Sequence, residues 1–340
     1  IKFAHKTFAW DSEAPGKAAV HCVIVGFSRD TGVGNVLEYE TVQSEPHEVV
    51  VSQGFNGYLV DGPRILVERV SKPLSRAIAP ARFGTMPLGS ALIVEVDEYE
   101  EISSDPVASK YLRKFIGSRE LVRGQDRWCL WLEDLEPGDL EKSPVLKERV
   151  ARNKKYRESA PTGGDAYKYR STPHLFGPNK HRPLVPYVGI PRHVGESRRF
   201  FTVQRFDSDV ICGDANFQVQ DKDGLLFSLI SSSMFVAGNA LSVENQDDLR
   251  FSNPLVWNTF PVPELTDKQR QGIVKAGEKV LAARELHPER SLAEQYSPLS
   301  MDPELVKAHD ALDREVDRAF GAARKRTNER QRLELLFRGY

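Results

Sequence analysis

The chain has 340 residues, 40% of them hydrophobic, and a formal net charge of −1. That supplies the cores of two or three domains, while no run approaches the roughly 20 apolar residues that span a bilayer, so a membrane span is excluded. The start, IKFAHKTFAW, lacks the apolar stretch of a signal peptide, and the isolated cysteines Cys22, Cys129 and Cys212 suit neither a disulfide framework nor a zinc site. A cytoplasmic protein with reduced core thiols and no metal is expected.

Residues 1–36 begin with FAHKTFAW, a polar turn, DSEAPGK, and the apolar run AAVHCVIVGF, which read as strand, hairpin and buried strand. An apolar strand of this kind belongs inside a larger sheet than 36 residues can build, so the segment is expected to be the last hairpin of a truncated sheet.

Residues 37–262 are irregular. Short strands are predicted at GYLVDG, RILVERV, ALIVEVDEY, RWCLWLED, PYVGI and RFFTVQRF. Ser143 before Pro144 predicts a helix start, and the helix that follows places Arg149, Arg152 and Lys155 along one face. An apolar helix is predicted over about 225–241. The mixture defines an α+β class, an irregular mixed α/β domain with long loops.

Residues 263–340 are predicted to form a helical bundle. Thr266 and Gln269 form a capping box, Asp302 and Pro303 start a second helix, and Leu305, Ala308, Leu312, Val316 and Ala319 line one face of it until Gly321. Leu333, Leu336 and Phe337 repeat the spacing in a last helix.

Charge is segregated. Residues 143–199 hold thirteen Lys and Arg against four Asp and Glu, a local +9, so the remainder sums to −10. Arg192, His193, Arg198 and Arg199 lie between two strand-like runs in a loop rich in Gly and Pro. A basic face of this kind suits a polyanion, nucleic acid first among them, with a solvated surface as the bland alternative.

Other motifs fail. TGVGNVL lacks the third glycine and the crossover helix of a dinucleotide loop. SNPLVW has Asn253 and Pro254 but not the second proline and aromatic of the amino-methyltransferase motif. The acidic run 95–101 reads as a solvated face, and no Walker loop, HExxH pair or nucleophile motif is present.

The series FAHKTFAW, GKAAVHCVIVGF, NGYLVDGP, SKPLS, FGTMP, FIGSRELVRGQDRWCLWLED, TPHLFG, YVGIPRHVGESRRFF, LRFSNPLVWNTFPVP and HDALDREVDRAFG resembles, in order, the C-terminal portion of MmeI-like restriction-modification adenine methyltransferases. The resemblance covers nearly the whole chain. It implies the end of a methyltransferase domain over 1–36, a DNA target recognition domain over 37–262 and C-terminal helices over 263–340. S-adenosylmethionine would serve the full-length enzyme and bind none of these residues, so this portion alone is expected not to methylate.

The resemblance further implies that Phe8 or Trp10 packs on a flipped target base, and that Glu196, Gln218, Asp248, Arg250 and Ser252 read base edges. A surface ion pair between Asp248 and Arg250 is the alternative for those two. Phosphate contacts are expected from Arg149, Arg152, Lys155, Lys168, Arg170, Arg192, Arg198 and Arg199. Double-stranded DNA is the expected partner, with no obligate protein partner. Two rivals remain: a non-enzymatic scaffold with an exposed apolar stripe on its last helices, and an RNA-binding module that stacks bases on Tyr156, Tyr167, Tyr169 and Phe200.

Overall fold

The computed structural model describes all residues except 11–19, 30–33, 40, 52–53, 55, 60, 62, 179–181, 196–197, 241–247 and 324–327, and leaves out the side chains of 20, 193–195, 240 and 248–250. The chain divides into one unit of Ile1–Glu68 with Arg326–Tyr340 and another of Arg69–Lys325.

In the first unit the expected hairpin is formed by the antiparallel strands Phe3–Trp10 and Val20–Gly26; the turn between them lies outside the described residues. Asn35–Tyr39 then pairs in parallel with Phe3–Trp10, and Pro46–Val50 pairs antiparallel with Asn35–Tyr39. The apolar strand Val20–Gly26 is at the edge of this four-stranded sheet, with Val23, Ile24 and Val25 exposed. The sheet recruits residues beyond 36, together with the last helix, Glu329–Phe337, whose Phe337 packs its ring 5.6 Å from Tyr58. After the TGVGN segment the chain enters a strand, not a helix.

The second unit contains two small four-stranded sheets. One orders Gln204–Phe206, Tyr187–Pro191, Asn216–Gln220 and Arg82–Phe83; the other orders Ile211–Cys212, Leu112–Ile116, Trp128–Leu130 and Ile93–Val94. A core that includes Leu92, Val94, Ile102, Cys129, Trp131 and Phe176 fills the space between the second sheet and the helix Pro144–Ser159, whose Leu146 it buries. RILVERV forms no strand: its side chains alternate between exposed and half-buried, and Val70 instead donates its amide to the Pro254 carbonyl at 2.9 Å.

Helix starts follow the local chemistry. Ser143 Oγ accepts from the Leu146 amide at 3.1 Å, Thr266 and Gln269 close a reciprocal capping box, and Asp302 accepts from the Glu304 amide at 2.7 Å. The apolar segment after Gly224 splits into Leu225–Ile230 and Ser233–Ala240. The break has a cause: Asp313, from the helix Pro303–Ala319, accepts from both the amide and the hydroxyl of Ser233 at 2.8 and 2.6 Å and so starts a new helix. The helices Asp267–Arg284 and Pro303–Ala319 belong to this same unit. Gly277 is needed where the first crosses Leu225–Ile230, because a Cβ there would lie 1.9 Å from Ser228 Oγ. Leu305, Leu312 and Val316 are buried as their spacing requires, and Ala308 is half-buried.

Candidate nucleic-acid interface

Strand Tyr187–Pro191 continues past Arg192 into His193–Gly195, which leaves its sheet and pairs antiparallel with Asp248–Arg250. Gly195 opposes Asp248 and His193 opposes Arg250. Two segments more than fifty residues apart, both expected to read base edges, therefore meet in one two-stranded ribbon. Asp248 and Arg250, two apart on a strand, fall on one face of it. Glu196 directly follows the paired residues but lies outside the described ones.

The root of the ribbon is rigid. The Phe251 amide donates to the Arg192 carbonyl at 3.1 Å, and the Phe251 ring is buried against Phe217 at 4.8 Å and Trp257 at 6.1 Å. Phe83, on the edge strand, packs 4.3 Å from Phe217 and carries the Arg192 guanidinium 5.5 Å above its ring. Such a cation–π contact leaves the charge available at the surface. Phe83 was missed in the sequence, since a two-residue strand has no periodicity to detect.

The other expected residues separate into two groups. Arg152 and Lys155 are exposed on the helix Pro144–Ser159, Arg152 with a loose 3.7 Å pair to Glu148. Lys168 is exposed beside Asp165 at 2.9 Å, and Arg170 is exposed over the ring of Tyr167 at 4.0 Å. Arg198 is half-buried and donates to Thr202 Oγ1 at 3.1 Å, and burial lowers the pKa of its guanidinium. Arg199 is exposed, pairs with Asp310 and lies 4.8 Å over Phe200.

Two expectations are corrected. Arg149 is 4% exposed and donates to the carbonyls of Ala91 and Ile93 and, at 2.6 Å, to Glu98, so it is internal and reaches no phosphate. Burial would raise the Glu98 pKa, but the Glu95 amide and Arg149 hold it below the usual range. Gln218 is 5% exposed, with Nε2 3.4 Å from the Phe83 carbonyl, which turns it away from any groove. Ser252 is half-buried, and its carbonyl accepts from Val256 and Trp257 at the start of a π-helical turn, a backbone role that leaves its hydroxyl for the expected base contact.

Asn253 in that turn donates to the Ala81 carbonyl at 3.0 Å, a structural duty. Phe200 is fully buried and stacks on His309 at 3.9 Å, which removes it as a platform for unpaired bases. The stripe on the last helices is also buried, against the scaffold reading. Of the two rings in the first unit, Phe8 is half-buried and stacked on Tyr39 at 5.3 Å, whereas Trp10 is 51% exposed. Cys129 and Cys212 are buried free thiols with strongly raised pKa values, and Cys22 is a free thiol that is half-buried. Among the described residues no cluster of His, Cys, Asp or Glu could hold a metal ion, and no helix is long and apolar enough to cross a membrane.

A four-stranded sheet, an α+β body that carries a rooted two-stranded ribbon and a set of exposed cations, and two long helices define the class: a modular α+β chain with a candidate polyanion-binding surface. Residues 61–264 match the family model of the MmeI target recognition domain, 265–340 the MmeI C-terminal domain, and 1–38 the MmeI DNA-methyltransferase domain. The chain belongs to the MmeI family and corresponds to the C-terminal portion of its members.

DNA methyltransferase A of Bacillus subtilis (strain 168) is 32% identical over 344 residues, which is all of this chain and 38% of that protein. The Type IIL restriction-modification enzyme MmeI, solved in complex with DNA, superposes with a TM-score of 0.79 at 32% identity, over 99% of this chain and 45% of that one. The chain thus spans less than half the length of either relative.

Proposed function

We propose that this chain is the site-specific DNA-recognition portion of an N6-adenine methyltransferase of a restriction-modification system, acting in the cytoplasm on double-stranded DNA. The observation that carries the reading is the pairing of His193–Gly195 with Asp248–Arg250, because a two-stranded ribbon fits the major groove, where each base pair presents a distinct pattern. Arg250 is assigned to guanine and Asp248 to the cytosine amino group, with Glu196 and Ser252 as further base readers. Arg152, Lys155, Lys168, Arg170, Arg192, Arg198 and Arg199 fix position on phosphates.

S-adenosylmethionine would be the methyl donor of the whole enzyme. Among the described residues the sheet Phe3–Val50 offers no helix-capped glycine loop to cradle it, so no step through the cofactor is assigned here. Trp10, the more exposed ring, is the better candidate to stack an extruded base, an interaction worth about 1–3 kcal/mol.

Selection of bound duplexes from a randomised library by the full-length protein tests the reading. Enrichment of one site, altered at defined base pairs by Arg250→Lys or Asp248→Asn, is the expected result. Binding without any enrichment would rule out sequence recognition by this chain.

A further inference from the structure

We propose that the two long C-terminal helices carry a second track for the DNA backbone, separate from the ribbon. The helices Asp267–Arg284 and Pro303–Ala319 enclose an open groove of about 910 Å3. Its walls present Lys268, Lys275 and Lys279 from the first helix and Arg314 and Arg318 from the second, against the single carboxylate of Glu315. Arg318 donates to both Glu315 oxygens at 2.9 Å, so that pair is compensated. Lys268, Lys275, Lys279 and Arg314 have no ion-pair partner among the described residues, which leaves the groove with four uncompensated positive charges.

The floor is made of small residues. Gly272, Ala276 and Ala311 line it, and a Cβ at Gly272 would come within 3.0 Å of Glu315 Oε2. The Glu315 carboxylate lies over Gly272 and is held there by Arg318, so the charges left to meet a ligand are those of Lys268, Lys275, Lys279 and Arg314. From Lys268 to Lys279 the cations extend over about 16 Å at 1.5 Å per residue, the length of about five nucleotides of one strand at 3.4 Å each. Isolated ammonium groups on long stems, with no bidentate or base-reading geometry, suit a row of phosphates rather than one anion.

Continuity with the recognition body favours duplex DNA as the occupant. Arg199 is ion-paired with Asp310, one turn from Arg314 and two from Arg318 on the same helix. That pair ties the loop after the ribbon to the helix that carries Arg314, so DNA flanking the recognised site would pass along the groove. The inference rests on the duplex-recognition reading, but its test separates the two.

The full-length protein and a triple variant, Lys275→Gln/Lys279→Gln/Arg314→Gln, are titrated with a long duplex at several salt concentrations. Each lost phosphate contact reduces the slope of log K against log salt by about 0.9, so the triple variant is expected to be shallower by about 2.7 with its melting temperature unchanged. In a second measurement, an iron chelate attached to Lys275→Cys is expected to cleave the duplex in one narrow window outside the selected site. An unchanged slope together with no localised cleavage, while the wild type binds, overturns the groove alone and leaves it to a non-DNA partner. Failure of the wild type to bind duplex at all overturns the recognition reading and the groove with it.

Discussion

Arg157 Nε donates at 3.1 Å to the carbonyl of Leu88, a residue held at a φ of 49°, in the left-handed region that a leucine rarely occupies. The same guanidinium donates to the carbonyls of Pro87, Tyr169, Thr172 and Leu175. Arg157 is fully buried, and burial lowers its pKa, yet five carbonyls around one cation compensate its desolvation. It clamps the segment 87–88 and the loop 169–175 onto the helix Pro144–Ser159. Arg157→Met is expected to destabilise the second unit by at least about 3 kcal/mol, because it orphans several buried acceptors at once. Thermal melting checks this, and a melting temperature within a degree of wild type would refute the clamp.

Two arginines three residues apart on that helix are predicted to differ in kind. Arg149→Met removes donors to Ala91, Ile93 and Glu98, and should lower stability by about 2–4 kcal/mol without altering the salt slope of whatever folds. Arg152→Gln and Lys155→Gln should leave stability within about 0.5 kcal/mol and each reduce the slope by about one. Denaturant melts paired with salt titrations separate the two behaviours.

That contrast marks the limit of what the sequence reveals. Ser143, Thr266 and Asp302 were legible as caps because capping is chemistry between residues two or three apart. The helical spacing of Arg149, Arg152 and Lys155 was legible too, but spacing defines a face, not what covers it, and strand Ile93–Val94 covers Arg149. Gly195 and Asp248 each sat in a segment flagged for base reading, yet nothing local to either announces that they oppose each other. The helical groove was hidden for another reason. Residues 263–340 hold fifteen Lys and Arg against fourteen Asp and Glu, so a linear count nears neutrality and only the packing of two helices sorts the signs.

His309 makes stability depend on pH. It is fully buried, with Nε2 2.7 Å from the Tyr296 hydroxyl and Nδ1 3.1 Å from the Ser231 carbonyl. Tyr296 accepts from Arg284 Nε and Nη2, so its own proton is directed to Nε2 and His309 is neutral with the proton on Nδ1. Burial first, then Arg284 and Arg199, depress its pKa well below 6.5. The unfolded chain therefore takes up this proton first as pH falls, and stability is lost below about pH 6.5, by up to about 1.4 kcal/mol per pH unit. His309→Gln keeps an acceptor for Tyr296 but cannot titrate. It should be less stable at pH 7 and show a smaller fall in melting temperature between pH 7 and pH 5. Every other ionisable group is common to the two proteins and cancels in the comparison.

Phe83 tests whether the ribbon needs its root. The residue is 43% exposed, so Phe83→Ala removes part of a ring's burial together with the surface under Arg192 and the packing partner of Phe217. The ribbon leaves the sheet at Arg192, and its partner strand runs into the core through Phe251, which packs on Phe217. Loosening that corner lets the paired strands tilt. Base-edge hydrogen bonds demand placement within a few tenths of an ångström, whereas phosphate attraction tolerates movement. The expected outcome is a loss of about tenfold in the ratio of specific to non-specific affinity, with the non-specific salt slope reduced by no more than one unit for Arg192 itself. Competition between the selected duplex and a scrambled one measures the ratio. If discrimination survived Phe83→Ala intact, the ribbon would have to be held by Phe251 alone.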